Sequence, residues 1–242
     1  MIPLKDSIPN VFKPYMVWGI IGANALIFIY TMGLGPRDLT TFFHLYGVVP
    51  LRLTHPDLAV MAGYPGSGYY TLISHMFIHG GFWHFILNSW MMWIFADNIE
   101  DVMGPVRFLF FYLLCGAGAL LTHILFNFGS PVPVVGASGA IAGVMGAYLL
   151  LYPHSRVITF IPIFFLPYII EIPALVFLGI WFIIQLLFAV GSGLFGTGTG
   201  VAWWAHAGGF VLGMVLLPLF RDRKRCYYCY EKIRRKEEFL LE

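Results

Sequence analysis

The segment from Phe108 to Ser155 reads FLFFYLLCGAGALLTHILFNFGSPVPVVGASGAIAGVMGAYLLLYPHS, and no Asp, Glu, Lys or Arg interrupts it. Gly and Pro cluster between Phe128 and Gly136, a composition that marks a turn. The segment therefore divides into two apolar helices, near Val106–Asn127 and Ser138–Tyr152. A membrane span needs about 20 apolar residues, and three other charge-free stretches are long enough to supply them. Pro14–Pro36 holds one span near Tyr15–Gly33. Leu58–Ala96 opens with a Gly/Pro/Ser loop at Gly63–Gly68 and closes with a helix near Trp83–Asp97. Ile172–Phe220 breaks at Gly191–Gly200 into helices near Pro173–Val190 and Val201–Phe220. The pattern predicts an all-α membrane protein with six transmembrane helices. Composition agrees: 59% of the 242 residues are hydrophobic and 11% are charged, against about 45–50% and 25% in soluble domains. These figures exclude a soluble globule and a disordered chain. Three cysteines exclude a disulfide-stapled secreted scaffold.

The basic residues orient the bundle. Arg221, Arg223, Lys224, Arg225, Lys232, Arg234, Arg235 and Lys236 follow the last span. Lys5 and Lys13 precede the first, and six spans place Arg107 and Arg156 on that same side. Only Arg37 and Arg52, in a long first loop, lie opposite. Both termini are therefore expected in the cytoplasm. The domain reading is a cytoplasmic segment over residues 1–14, a six-helix unit over 15–220 and a basic tail over 221–242. That tail suits a topology anchor that meets anionic lipid; nucleic acid is not an expected partner.

Polar residues inside spans are functional candidates. The second, fourth and sixth spans all run inward and carry such residues in their first turns. His84 and Asn88 share one face of the second helix, four residues apart. Ser138 opens the fourth, and His206 lies early in the sixth. At about 1.5 Å per residue, the four residues share one depth near the outer face. Small residues recur at Gly139, Gly143 and Ala147, and again at Gly209 and Gly213. Such stripes let helix backbones approach closely, which would bring Ser138 and His206 within reach of each other.

Gly136-Ala-Ser-Gly139, Ala205-His-x-x-Gly-x-x-x-Gly213 and His79-x4-His84-x3-Asn88 occur in order on three helices, and Glu100-x3-Gly104 follows the second. In these motifs the chain resembles the rhomboid intramembrane serine proteases over roughly residues 10–220. The resemblance implies a six-helix rhomboid-like bundle in which Ser138 and His206 are catalytic. It also implies lateral substrate entry between the second and fifth helices and a preference for small residues at the cut. His79, Gly136, Gly139 and Gly209 are expected to support the site, with His79 anchoring the first loop. Two positions depart from the family: Tyr70-Thr71 stands where a Trp-Arg pair is often found, and Ala142 stands where an aromatic residue often packs on the catalytic His.

The residues themselves point to the same chemistry. A Ser hydroxyl needs a base to become a nucleophile, and His206 can serve. Asp97, Glu100, Asp101 and Glu171 lie at the inner ends of their helices, and Asp38 and Asp57 lie in the first loop. The expected machinery is thus a Ser–His dyad. His84, Asn88 and the Ser138 backbone N–H would hold the oxyanion. The expected substrates are single-span membrane proteins with locally unstable helices near the outer face. No cofactor or metal is expected, and the location read from the sequence is a bacterial inner membrane. Two alternatives are a rhomboid-like binder of transmembrane clients that does not cut, and a metalloprotein using His79, His84 and His206. His123 reads as a packed polar residue, and His44, His55, His75 and His154 as loop residues. Cys226 and Cys229 read as a reduced or lipid-modified pair.

Overall fold

The charge-free runs fold as helices because lipid leaves the backbone no partner except itself. In this computed structural model, residues 1–163, 166–195 and 201–230 are described. Among them are six long helices: α1 (Tyr15–Met32), α2 (Phe82–Met103), α3 (Pro105–Phe126), α4 (Ser138–Leu151), α5 (Ala174–Phe195) and α6 (Trp203–Phe220). Four of these, α1, α3, α5 and α6, are long and apolar enough to cross a membrane. α4 is shorter, with 14 residues, and is buried along nearly its whole length. The remaining helix, α2, runs past Asp97, where the sequence reading ended it, to Met103. The Glu100 carboxylate accepts the N–H groups of Met16 and Val17, at 3.0 and 2.8 Å. Asp101 accepts those of Val11 and Phe12, at 2.6 and 2.9 Å. Glu100 thus satisfies free donors at the start of α1 and Asp101 those of the segment before it, so both carboxylates are buried instead of marking an exit into water.

The all-α expectation needs correction at one end of the molecule. β1 (Ile2–Asp6), β2 (Arg156–Ile163) and β3 (Leu166–Pro173) form an antiparallel sheet in the order β1-β2-β3. Ile2 pairs with Phe160, and Val157 with Ile172. The loop between α4 and α5 is rich in β-branched and aromatic residues, which suit a pleated surface. An exposed Arg156–Glu171 ion pair at 2.6 Å joins its two strands. The Tyr148 hydroxyl of α4 donates to Asp6 of β1, whose pKa burial lifts to about 6.

The first loop, expected to be irregular, contains short helices at Pro36–Tyr46, Pro50–Thr54, Pro56–Met61 and Thr71–Ser74. Three of them begin with Pro, which is pre-set for the first helical position. The start of the basic tail is docked to the helix ends. Asp222 N–H bonds the Val102 carbonyl at 3.0 Å, and Arg225 donates to the Asp101 carbonyl at 2.8 Å. Cys226 and Cys229 are joined as a disulfide and buried, with Cys229 beside the Tyr152 hydroxyl. Two intervening residues let the sulfurs meet, and their burial argues against the expected lipid modification. Lys232, Arg234, Arg235 and Lys236 lie outside the described residues.

The centre of the fold is the approach of α4 to α6. A Cβ on Gly209 would strike the Gly139 carbonyl, and one on Gly213 would strike the backbone of Gly143. Both small-residue stripes are thus used for backbone contact. Gly213→Ala is expected to lower the unfolding midpoint and cost about 2–3 kcal/mol through overpacking. Gly19→Ala, with nothing within 4 Å of the new methyl, should stay within about 1 kcal/mol of wild type. Thermal unfolding in detergent compares the two, and equal midpoints would refute the close approach.

Candidate active site

Ser138 is the first residue of α4, and His206 lies one turn into α6. The Gly139–Gly209 contact sits immediately beside them, so two short lever arms meet. His206 Nε2 lies 2.8 Å from Ser138 Oγ. This is the distance at which a hydroxyl can pass its proton to an imidazole.

His84 and Asn88 approach from α2 on the other side. The Gly80 N–H points at His84 Nδ1 at 3.3 Å. With Nδ1 accepting, the ring proton sits on Nε2. That nitrogen faces Gly136, where an added Cβ would lie 2.7 Å from His84 Nε2 and 3.7 Å from Asn88 Nδ2. Gly136 has φ +129°, a conformation that side chains rarely adopt, and its missing Cβ leaves the two donors an open lane. Asn88 Nδ2 is buried without a hydrogen-bond partner among the described residues, which is costly for an amide unless an acceptor visits. The Gly136 N–H itself bonds the His75 carbonyl at 2.9 Å.

His79 is buried and packs edge-to-face on His84 and Phe85, with centroids 5.3 and 5.6 Å away. Burial, followed by the neighbouring His84, lowers its pKa to about 4. Neither ring nitrogen has a hydrogen-bond partner among the described residues, so the expected hydrogen-bonded anchoring of the first loop is corrected: the ring packs against His84. His75 is also buried. Its Nδ1 lies 2.9 Å from the Thr71 carbonyl, and burial holds its pKa at about 4. Reading it as a plain loop residue missed its contact with the segment leading to Ser138.

Arg52 was also missed. Its side chain is 1% exposed. It donates to the carbonyls of Gly66, Leu45 and Pro65, and to the Tyr70 hydroxyl, at 3.3, 3.2, 2.5 and 3.4 Å. Tyr70 in turn donates to the Leu45 carbonyl at 2.8 Å. The first loop is thus anchored without a Trp-Arg pair, by an arginine from elsewhere in the same loop. The only sequence signal was its place as one of two cations on the side poor in positive charge.

The departure at Ala142 is also compensated. Trp181 of α5 lies over His206 at 6.1 Å and 31°, and Trp203 meets its edge at 6.0 Å and 85°. Phe182 stacks on Phe210 at 4.7 Å and Phe188 on Trp203 at 4.8 Å. These two α5 phenylalanines therefore contact α6, although Phe188 keeps 52% of its surface exposed. Gln185 of α5 is buried, and its Oε1 lies 2.8 Å from His206 Nδ1.

A helical protein with membrane-length spans and a hydrogen-bonded Ser–His pair is a narrow class. The Rhomboid domain family model matches residues 66–223 of this chain. The chain belongs to the rhomboid family and is an integral, multi-pass membrane protein. It is 28% identical over 99 residues to rhomboid protein 1, mitochondrial, of Saccharomyces cerevisiae; that match covers 38% of this chain and 28% of the yeast protein. Rhomboid protease GluP of Bacillus subtilis is 35% identical over 88 residues, which cover 36% of this chain and 17% of that protein. The human presenilin-associated rhomboid-like protein, mitochondrial, is 27% identical over 159 residues, covering 61% of this chain and 36% of the human protein. This chain thus spans well under half the length of each.

Arg52→Met is expected to keep the aliphatic packing while freeing the Gly66 and Pro65 carbonyls. Limited proteolysis should then cut the first loop between residues 62 and 69 at least about tenfold faster than in wild type. An unchanged digestion pattern would show that Arg52 does not hold that loop.

Proposed function

We propose that this chain is an intramembrane serine endopeptidase that cuts single-span membrane proteins near the outer face with a Ser138–His206 dyad. The 2.8 Å contact between His206 Nε2 and Ser138 Oγ carries this reading. In the first step Ser138 Oγ attacks the scissile carbonyl and His206 takes its proton. The oxyanion is met by His84 Nε2–H, Asn88 Nδ2–H and the Ser138 backbone N–H at the positive end of α4. His206 then gives its proton to the leaving amine, and a bond is left between the acyl group and Ser138. Water, activated by His206, hydrolyses that ester. The unpartnered Asn88 amide supports the oxyanion role, since a buried donor without an acceptor suits a charge that forms only in the transition state.

The same proposal covers the topology: six spans, cytoplasmic termini, an amino-terminal segment over 1–14, the protease unit over 15–220 and a cytoplasmic tail over 221–242. Substrate would enter laterally between α2 and α5, and the glycines and alanines around Ser138 favour small residues at the cut. A bacterial inner membrane is the location proposed, with the Bacillus relative as support. The non-cutting reading is disfavoured because Ser138 and His206 are both present and in contact. The metal reading is disfavoured because both nitrogens of His206 already face partners, Ser138 and Gln185.

Ser138→Ala and His206→Ala should each lower cleavage of a single-span substrate in proteoliposomes by at least about 10³-fold. Asn88→Ala should lower it about 10²–10³-fold. A fluorophosphonate should label wild type and not Ser138→Ala. Full activity in either dyad variant would reject the mechanism. A reporter fused after Glu242 should be active in the cytoplasm, and an external signal would reject the topology.

A further inference from the structure

Within the Ser138–His206 reading, on which this inference rests, we propose that Gln185 is the positioning residue for His206. It would set the tautomer and ring orientation of the base, the task that a carboxylate performs in a catalytic triad. A neutral imidazole carries one N–H, and the hydrogen bond made by one nitrogen decides which nitrogen is free. His206 can take the Ser138 proton only when the lone pair is on Nε2. An acceptor at Nδ1 holds the proton there, and Gln185 Oε1 is such an acceptor at 2.8 Å.

The amide is itself oriented. Gln185 Nε2 points at the Trp181 carbonyl one turn earlier on α5, at 3.4 Å. The oxygen end therefore faces His206. Gln185 is 6% exposed, although its neighbours Ile184 and Leu187 are 40% and 67% exposed. A primary amide turned inward from a largely apolar helix is costly unless its hydrogen bonds are made. The Trp181 and Trp203 rings then flank the imidazole and limit its rotation. The titratable groups acting on His206 are His84 of α2 and His123 of α3; α4 contributes Ser138, and α5 contributes the neutral Gln185.

An amide and a carboxylate at this position differ in a measurable way. Both accept from Nδ1–H, but only a carboxylate stabilises the imidazolium by charge. The test uses the full chain in detergent micelles with a single-span substrate and a fluorophosphonate. Gln185→Leu should lower kcat about 10–100-fold, leave KM within twofold, and slow fluorophosphonate labelling in parallel. Gln185→Glu should recover most of kcat and move the acid limb of the kcat/KM profile to higher pH by about one unit, because the imidazolium is held more tightly. Wild-type kcat and labelling rate in Gln185→Leu would overturn the proposal. So would a folded Gln185→Glu variant with less than about a tenth of wild-type kcat, because a carboxyl oxygen accepts from Nδ1–H in either protonation state; this readout stands even if the Leu variant fails to fold. The two readings fail separately. Cleavage that survives Ser138→Ala rejects the dyad itself, whereas an inactive Ser138→Ala beside a fully active Gln185→Leu rejects only the role of Gln185.

Discussion

The contact between the α4 and α6 backbones is the constraint on which the site depends. A Ser side chain reaches barely beyond its own Cβ, and an imidazole only a few Å further. Two helices carrying ordinary side chains pack about 8–10 Å apart, too far for such a pair at a helix start. Gly139 against Gly209 and Gly143 against Gly213 remove that spacing. Ser138 precedes the first of these glycines by one residue and His206 the second by three. Their hydrogen bond is therefore a local consequence of helix packing. In lipid this packing gains little from the hydrophobic effect and rests on close van der Waals contact, so one methyl group is enough to disturb it.

The polar side chains obey a second constraint, which sorts them by depth. Ionised groups stay at the two ends of the bundle, where they find donors or acceptors on the backbone. Arg52 organises the outer loop through carbonyl oxygens, and Glu100 and Asp101 organise the opposite end through N–H groups. Between them, the site is built from a hydroxyl, an amide pair and imidazoles, with no carboxylate, Lys or Arg among them. Sheet and tail are tied to the helix ends there, through Tyr148 bonding Asp6 and Arg225 bonding the Asp101 carbonyl.

The helices and the four polar residues were legible from the sequence because their signals are one-dimensional. A charge-free run reports an apolar helix, and the grouping of the four residues follows from counting along helices that alternate in direction. The Gly/Ala stripes reported the close approach for the same reason. What the sequence did not show depends on partners distant in the chain. Strands Arg156–Ile163 and Leu166–Pro173 sit in a connection whose pairing with Ile2–Asp6 no local pattern announces. The end of α2 was misplaced because carboxylates normally mark exit into water, and here they bond the start of α1 and the segment before it. Arg52 looked like a stray cation, and Gln185 like an ordinary residue in an apolar helix, until three dimensions placed each beside its acceptor or donor.

The choice of an amide beside His206 is consistent with this sorting. A carboxylate there would add a charge to a buried position next to the membrane, with a desolvation penalty of several kcal/mol per ion. An amide orients the ring at a far smaller cost and leaves the imidazole neutral, the form that accepts a proton. The same economy has a chemical consequence. In the proposed mechanism the imidazolium has no anion behind it and is less stabilised than in a triad. More of the transition-state stabilisation must then come from the donors around the oxyanion. His84 and Asn88, convergent on the lane left open by Gly136, are where this architecture concentrates them.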